Sequence, residues 1–187
     1  MPKNYLAYSL LVFATFCWSG NFIVGKFAYL FEVPPLTLNF LRWVSVWLLL
    51  IPFTYKEIYN NLEHIKKNWI VISFMGVITI STFNSVVYFA LTHTQVINAV
   101  LVLAAIPAVT IIISSLMKVD KTNIFQLIGL LLSVIGIGAI ISNADLNKIF
   151  SLSFNKGDLW MLVCVLTWSL YSTLLKKHSF KFSQFTL

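Results

Sequence analysis

Charge is scarce in this chain. Of 187 residues only 10% are charged, and six are Asp or Glu; soluble domains carry roughly 25% charged residues. A water-soluble fold of this length could not hide an apolar fraction of 59%, whereas a chain solvated by lipid has no need to. The scarcity of acids leaves no clustered carboxylates for acid–base chemistry. Three scattered histidines and two cysteines offer no metal-ligand spacing, and Cys17 and Cys164 both fall in apolar stretches, where they read as small buried hydrophobes rather than a disulfide. No cofactor is implied. The first apolar stretch is too long for a secretory signal, has no small-x-small cleavage site after it, and carries bulky Phe16 before Cys17, which argues against lipoprotein processing.

The gaps between charges predict an all-α polytopic membrane protein. Residues 4–25, 122–144 and 159–175 are uncharged, and 33–55 carry only Arg42. Residues 68–117 are uncharged as well; at ~1.5 Å per residue they would form a ~75 Å helix, far beyond a hydrocarbon core of ~30 Å. The polar stretch Thr92-His93-Thr94-Gln95 is the natural turn. Six spans follow, near 5–25, 35–55, 69–91, 95–117, 124–142 and 158–176, the last being the shortest.

The net charge of +7 is explained by topology. With a cytoplasmic N-terminus, one side receives Lys3, Lys56, Lys66, Lys67, Lys118, Lys121, Lys176, Lys177 and Lys181, and the other Lys26, Lys148 and Lys156. Nine against three follows the positive-inside rule, so the basic balance does not call for a nucleic-acid partner. The expected location is a bacterial cytoplasmic (inner) membrane, with the lipid bilayer as the surrounding partner.

One cassette occurs twice. Trp18-Ser19, six residues and Lys26 recur as Trp168-Ser169, six residues and Lys176, and each copy ends a span. Five spans precede the linker, so the second copy starts from the opposite face. An odd-numbered repeat in tandem gives an inverted pair, as in many secondary transporters. The expected organisation is a first five-helix repeat over 3–142, a linker over 143–156, and the start of a second repeat over 157–187. On this reading the architecture is an incomplete 5+5 inverted repeat, a fragment of a longer protein or one whose cavity a second chain completes.

Several polar residues fall inside spans. Arg42 lies ~10 Å into its helix, where a charge costs about 2.5–3.5 kcal/mol on insertion scales; it calls for a partner or a water-filled cavity, or else snorkels to the headgroups. Asn39 lies one turn before it on the same face. Trp18 and Asn21 share a face at i, i+3, and Trp168 and Tyr171 do so at the matching positions, a pattern suited to a cavity for amphipathic solutes or to interfacial aromatic belts. Asn84 and Tyr88 share a face at i, i+4; these and Asn98 read as interhelical glue or as solute contacts. Lys26 and Lys176 read foremost as anchors. Pro107 frees the carbonyl of Leu103 and predicts a kink, while His93 reads as a solvated turn residue. Gly129, Ser133 and Gly136 form a small-residue stripe that invites close helix approach.

Trp18-Ser19-Gly20-Asn21-Phe22 with Lys26, Phe40-Leu41-Arg42, Pro107, Gln126 with Gly129 and Gly136, Gly157-Asp158-Leu159, and Trp168-Ser169-Leu170-Tyr171 stand in an order and spacing that resemble the EamA-type drug/metabolite transporters. The resemblance covers nearly the whole chain and implies ten spans in two repeats, with export or facilitated exchange of small metabolites, amino acids or drugs by alternating access. Asp120-Lys121 stands where that family often has Glu and a basic residue. The expected solute-binding set is Trp18, Asn21, Arg42, Asn84, Tyr88, Asn98, Trp168 and Tyr171. Rival readings are a non-transporting assembly subunit and a membrane-embedded lipid-modifying enzyme; the sparse His and carboxylates weigh against the enzyme.

Overall fold

A computed structural model describes residues 2–120, 123–141, 155–178, 180, 183 and 186. It is all-helical, with no strand among the described residues. The helices are α1 (Pro2–Leu30), α2 (Pro35–Asn60), α3 (Leu62–Lys67), α4 (Trp69–Gly76), α5 (Asn84–Leu91), α6 (Val96–Leu103), α7 (Ile106–Leu116), α8 (Ile124–Ile141) and α9 (Lys156–Lys177), with a π-helical segment, Val77–Phe83, joining α4 to α5. Among the described residues, five stretches are long and apolar enough to cross a membrane: Tyr5–Leu30, Pro35–Asn60, Trp69–Leu91, Val96–Leu116 and Lys156–Lys177. The sixth expected span falls on the apolar α8; its last expected residue, 142, and most of the 143–156 linker lie outside the described residues.

The breaks have local causes. Pro34 caps α2 and Pro35 opens it, where a missing N–H costs nothing. The turn between α5 and α6 falls on Thr92–Gln95, as the polar run predicts. His93 is exposed there, its ring 4.9 Å from that of Phe89. Pro107 acts through a break at Ala104 and Ala105, after which it occupies the first turn of α7. α9 starts with a reciprocal capping box: Asp158 N–H donates to Asn155 Oδ1 at 2.9 Å, and Asn155 N–H donates to Asp158 Oδ2 at 3.2 Å.

α9 is the hub, although the sequence marks it as the shortest span. It packs against α5, α6, α7 and the π segment. Its buried residues, Gly157, Met161, Cys164, Val165, Ser169 and Thr173, recur at helical spacing along one face. That face is narrow in profile, which suits packing in lipid, where close van der Waals fit rather than water exclusion holds helices together. Gly157 shows the tightness: a Cβ there would lie 2.8 Å from the carbonyl oxygen of Ala90 and 2.9 Å from the backbone nitrogen of Thr94. Thr94 donates to Asp158 Oδ1 at 2.8 Å and accepts from Asn155 Nδ2 at 3.2 Å, so the α5–α6 turn is bolted to the start of α9.

The cassette lysines anchor opposite ends. Lys26 Nζ donates to the carbonyls of Leu91 (2.7 Å) and Thr94 (3.1 Å), closing the C-terminus of α5. Lys176 Nζ pairs with Asp120 after α7 at 2.6 Å. Because Thr94 meets both the end of α1 and the start of α9, the two helices run antiparallel. The Gly129, Ser133 and Gly136 stripe departs from expectation: these positions are exposed, and added Cβ atoms at either glycine would meet nothing within 4 Å. α8 touches its neighbours α6 and α7.

Gly157→Ala should destabilise the protein by about 1–3 kcal/mol, the usual cost of overpacking, while Gly129→Ala should stay within about 0.5 kcal/mol of wild type; thermal unfolding in detergent compares them directly. Asp120 is held below its ordinary pKa by hydrogen bonds from Lys176 and from Ser114. A carboxylate with a depressed folded pKa stabilises above its unfolded pKa and loses that contribution as pH falls through the folded value. The stability difference between wild type and Asp120→Asn should therefore be constant around neutral pH and vanish on acidification below the ordinary aspartate range.

Candidate functional site

A cavity of about 870 Å³ lies between α1, α2, the α4–π–α5 span, α6–α7 and α9, within the size range of sites for drug-sized molecules. α1 contributes Trp18, Asn21 and Phe22; α2 contributes Arg42 and Trp43; the third span contributes Met75, Thr79, Phe83 and Asn84; Leu103, Pro107, Trp168 and Tyr171 complete it. Four aromatic rings meet there. Trp18 and Trp168, the two cassette tryptophans, touch edge-on with centroids 5.3 Å apart. Trp168 also stacks obliquely on Phe83 at 4.7 Å and on Tyr171 at 5.6 Å. Their spacings fall in the favourable range for aromatic pairs.

Among the described residues Arg42 supplies the one cation in the lining. Its Nη1 donates to Asn84 Oδ1 at 3.0 Å and to Tyr88 Oη at 2.8 Å. Tyr88 Oη in turn donates to Asn21 Oδ1 at 2.7 Å, so one chain of hydrogen bonds joins α2, α5 and α1. These bonds give Arg42 side-chain partners of the kind that a charge within a span calls for. Gly25 makes the reach possible: a Cβ there would come within 2.7 Å of the Tyr88 ring, so only glycine brings α1 close enough for Asn21.

The π segment orients the acceptors. In its wider turn the Asn84 N–H bonds to Thr79 O, and Asn84 Nδ2 donates to the same oxygen at 2.8 Å. Asn39 Nδ2 donates to Ile80 O at 2.8 Å and to Ser85 Oγ at 2.9 Å. Side chains thus satisfy carbonyls inside an interrupted helix, a pattern recurrent at functional sites. Asn84 is thereby fixed with its oxygen toward Arg42 and its nitrogen toward the backbone.

Residues 5–142 match the EamA-like transporter family. The chain belongs to that family. It is similar to a protein of Bacillus subtilis (strain 168) described as "Uncharacterized transporter YyaM", with 27% identity over 112 residues, covering 60% of this chain and 37% of the relative. The chain thus spans well under half the length of that curated relative. No solved structure matches it. Membership places the chain among integral membrane proteins of a transporter family, in keeping with its apolar helices and not with the enzyme alternative.

Six of the eight expected residues of this EamA-like chain, namely Trp18, Asn21, Arg42, Asn84, Trp168 and Tyr171, line the cavity together. Tyr88 is buried behind them and acts through its hydroxyl. Asn98 does not join them: it is exposed on α6 and outside the lining. Val100, two residues on, faces the cavity, and two residues turn a helix by ~200°. Sequence reasoning missed Trp43, Phe83 and Thr79; all three lie in apolar runs where helical phase alone would have pointed to them, and the π segment shifts that phase. Tyr88→Phe removes an acceptor from a guanidinium and a donor to Asn21, and should destabilise the protein by about 1–3 kcal/mol, read as a lower melting temperature in detergent with helicity retained.

Proposed function

We propose that this chain forms part of a transporter that moves a small amphipathic solute through the aromatic cavity by alternating access. The observation that carries this reading is the meeting of Trp18 and Trp168 across the cavity from antiparallel helices. Two copies of one cassette facing each other support a pseudo-twofold arrangement of inverted repeats around a site near the middle of the bilayer. Residues 3–142 are then the first repeat and 157–187 the start of the second, with further helices, in the same or a second polypeptide, completing the wall. The membrane is a bacterial cytoplasmic membrane and the N-terminus is cytoplasmic, by the charge bias of the loops.

The cavity residues take distinct roles. Trp18, Trp168 and Tyr171 contact the body of the solute. Arg42, Asn21 and Asn84 present polar groups to it, and Tyr88 keeps them in register. Lys26 and Lys176 hold the helix ends between which the repeats rock. A second reading, a non-transporting assembly subunit, draws on the open Gly129, Ser133 and Gly136 face.

Reconstitution into liposomes separates the two. Solute flux that depends on the chain together with its remaining helices supports transport; a folded, complete assembly that moves no solute overturns it. Trp18→Ala is the sharper probe, because Trp18 is 52% exposed and contributes little to the core. Its loss should leave the fold intact and weaken apparent solute affinity about 10-fold, the scale of one aromatic contact of ~0.5–1.5 kcal/mol.

A further inference from the structure

We infer that the cavity selects amphipathic organic monoanions, with the anionic group at Arg42 and an apolar or aromatic body against Trp18, Phe83 and Trp168. The inference rests on the transport reading for its physiological setting, and on the cavity alone for its chemistry.

The charge balance of the site is one-sided. Arg42 is within the membrane span and its bonds go to neutral acceptors, the Asn84 amide and the Tyr88 hydroxyl. Neither cancels its charge. The described carboxylates are engaged elsewhere or remote from the site: Asp120 pairs with Lys176, Asp158 caps α9 and binds Thr94, Glu57 accepts from Ser183, Glu32 lies in the turn after α1, and Glu63 lies in the short helix α3. None lines the cavity. An intramembrane cation without a carboxylate partner is costly, and an anionic ligand would relieve that cost.

The hydrogen-bonding balance points the same way. The acceptors of the Arg42 junction are committed, Asn84 Oδ1 and Tyr88 Oη to the guanidinium and Asn21 Oδ1 to Tyr88, while one turn before Arg42 Asn39 keeps its amide oxygen buried without a donor. Donors are in surplus. A guanidinium has five N–H groups, and only Nη1 is engaged. Trp43, in the lining beside it, keeps its indole N–H buried without an acceptor. A positive charge with spare guanidinium donors and no carboxylate among the described lining residues favours a ligand that brings negative charge. The site offers an ammonium group no carboxylate among the described lining residues, and the Trp43 ring already faces the Arg42 guanidinium, 5.5 Å from its centroid. Zwitterions therefore gain at one end and go unpaired at the other.

The test uses three probes with a phenyl group on a short chain, two of them permanently charged and one zwitterionic. These are 3-phenylpropane-1-sulfonate, (3-phenylpropyl)trimethylammonium and the zwitterion phenylalanine. Binding to the purified chain is followed by quenching of tryptophan fluorescence, and flux by uptake into proteoliposomes. The sulfonate should bind at least 10-fold more tightly than either rival and should be the probe that moves. Arg42→Gln should erase the preference, and Arg42→Lys should keep part of it; if Arg42→Gln fails to fold, the ranking on wild type decides alone. Equal or tighter binding of the cation or the zwitterion, or no binding of the sulfonate, overturns the inference. Anion-selective binding without flux of any probe, with the complete assembly reconstituted, upholds the anion site and counts against transport, while flux of the cation alone upholds transport and overturns the anion site.

Discussion

The bonds from Arg42 to Asn84 and Tyr88 are the constraint on which this architecture turns. A guanidinium inside a span is tolerated only with partners, and here the partners are neutral and lie on another helix. Satisfying them fixes the azimuth of α2 against α5. Tyr88 then passes the constraint to Asn21 and so to α1, which can approach only because Gly25 has no side chain. Three helices are thereby set in relative rotation by polar bonds, while their apolar faces remain exposed as lipid-solvated surfaces should be. The cavity is the space left beneath that polar junction.

α9 supplies the complementary kind of order. It is held by shape rather than by charge, through small residues along one face and a capping box tied to Thr94. Its single ion pair, at Lys176, is exposed on both sides, and such pairs contribute little. The helix is therefore positioned by its buried face and by its N-terminus, and Trp168 is placed opposite Trp18 as a consequence. A cassette that reads as two lysine-tipped spans works in space as two tryptophans meeting, with the lysines at the far ends.

Much of this was legible because lipid simplifies the code. Uncharged runs marked the spans, the polar Thr92–Gln95 run marked the turn, and in-span polar residues marked the junction, since each such residue needs a reason to be there. Asn98 misled because its phase was judged without a neighbour to fix it. The small-residue stripe of α8 predicted a packed face and met open space. The hub role of α9 was hidden because length and apolarity describe how a helix meets lipid, whereas close approach depends on Gly157, Cys164 and Ser169 falling on one side. The π segment left only a faint trace, the cluster of Thr79, Ser81 and Thr82, residues that compete for backbone hydrogen bonds.

That segment sets the gearing of the third span. In an uninterrupted α-helix Thr79 and Asn84 would point about 140° apart; the wider turn lets the Asn84 side chain fold back onto the Thr79 carbonyl. The halves before and after it are thus offset by roughly one residue, and the lower half presents Met75 and Thr79 to the same space into which the upper half presents Asn84. An α-helix one residue shorter would set Thr79 and the asparagine about 40° apart, so the π turn absorbs one extra residue while keeping both halves in phase. The register of Asn84 and Tyr88 on the guanidinium therefore depends on the wide turn being kept wherever the extra residue is present.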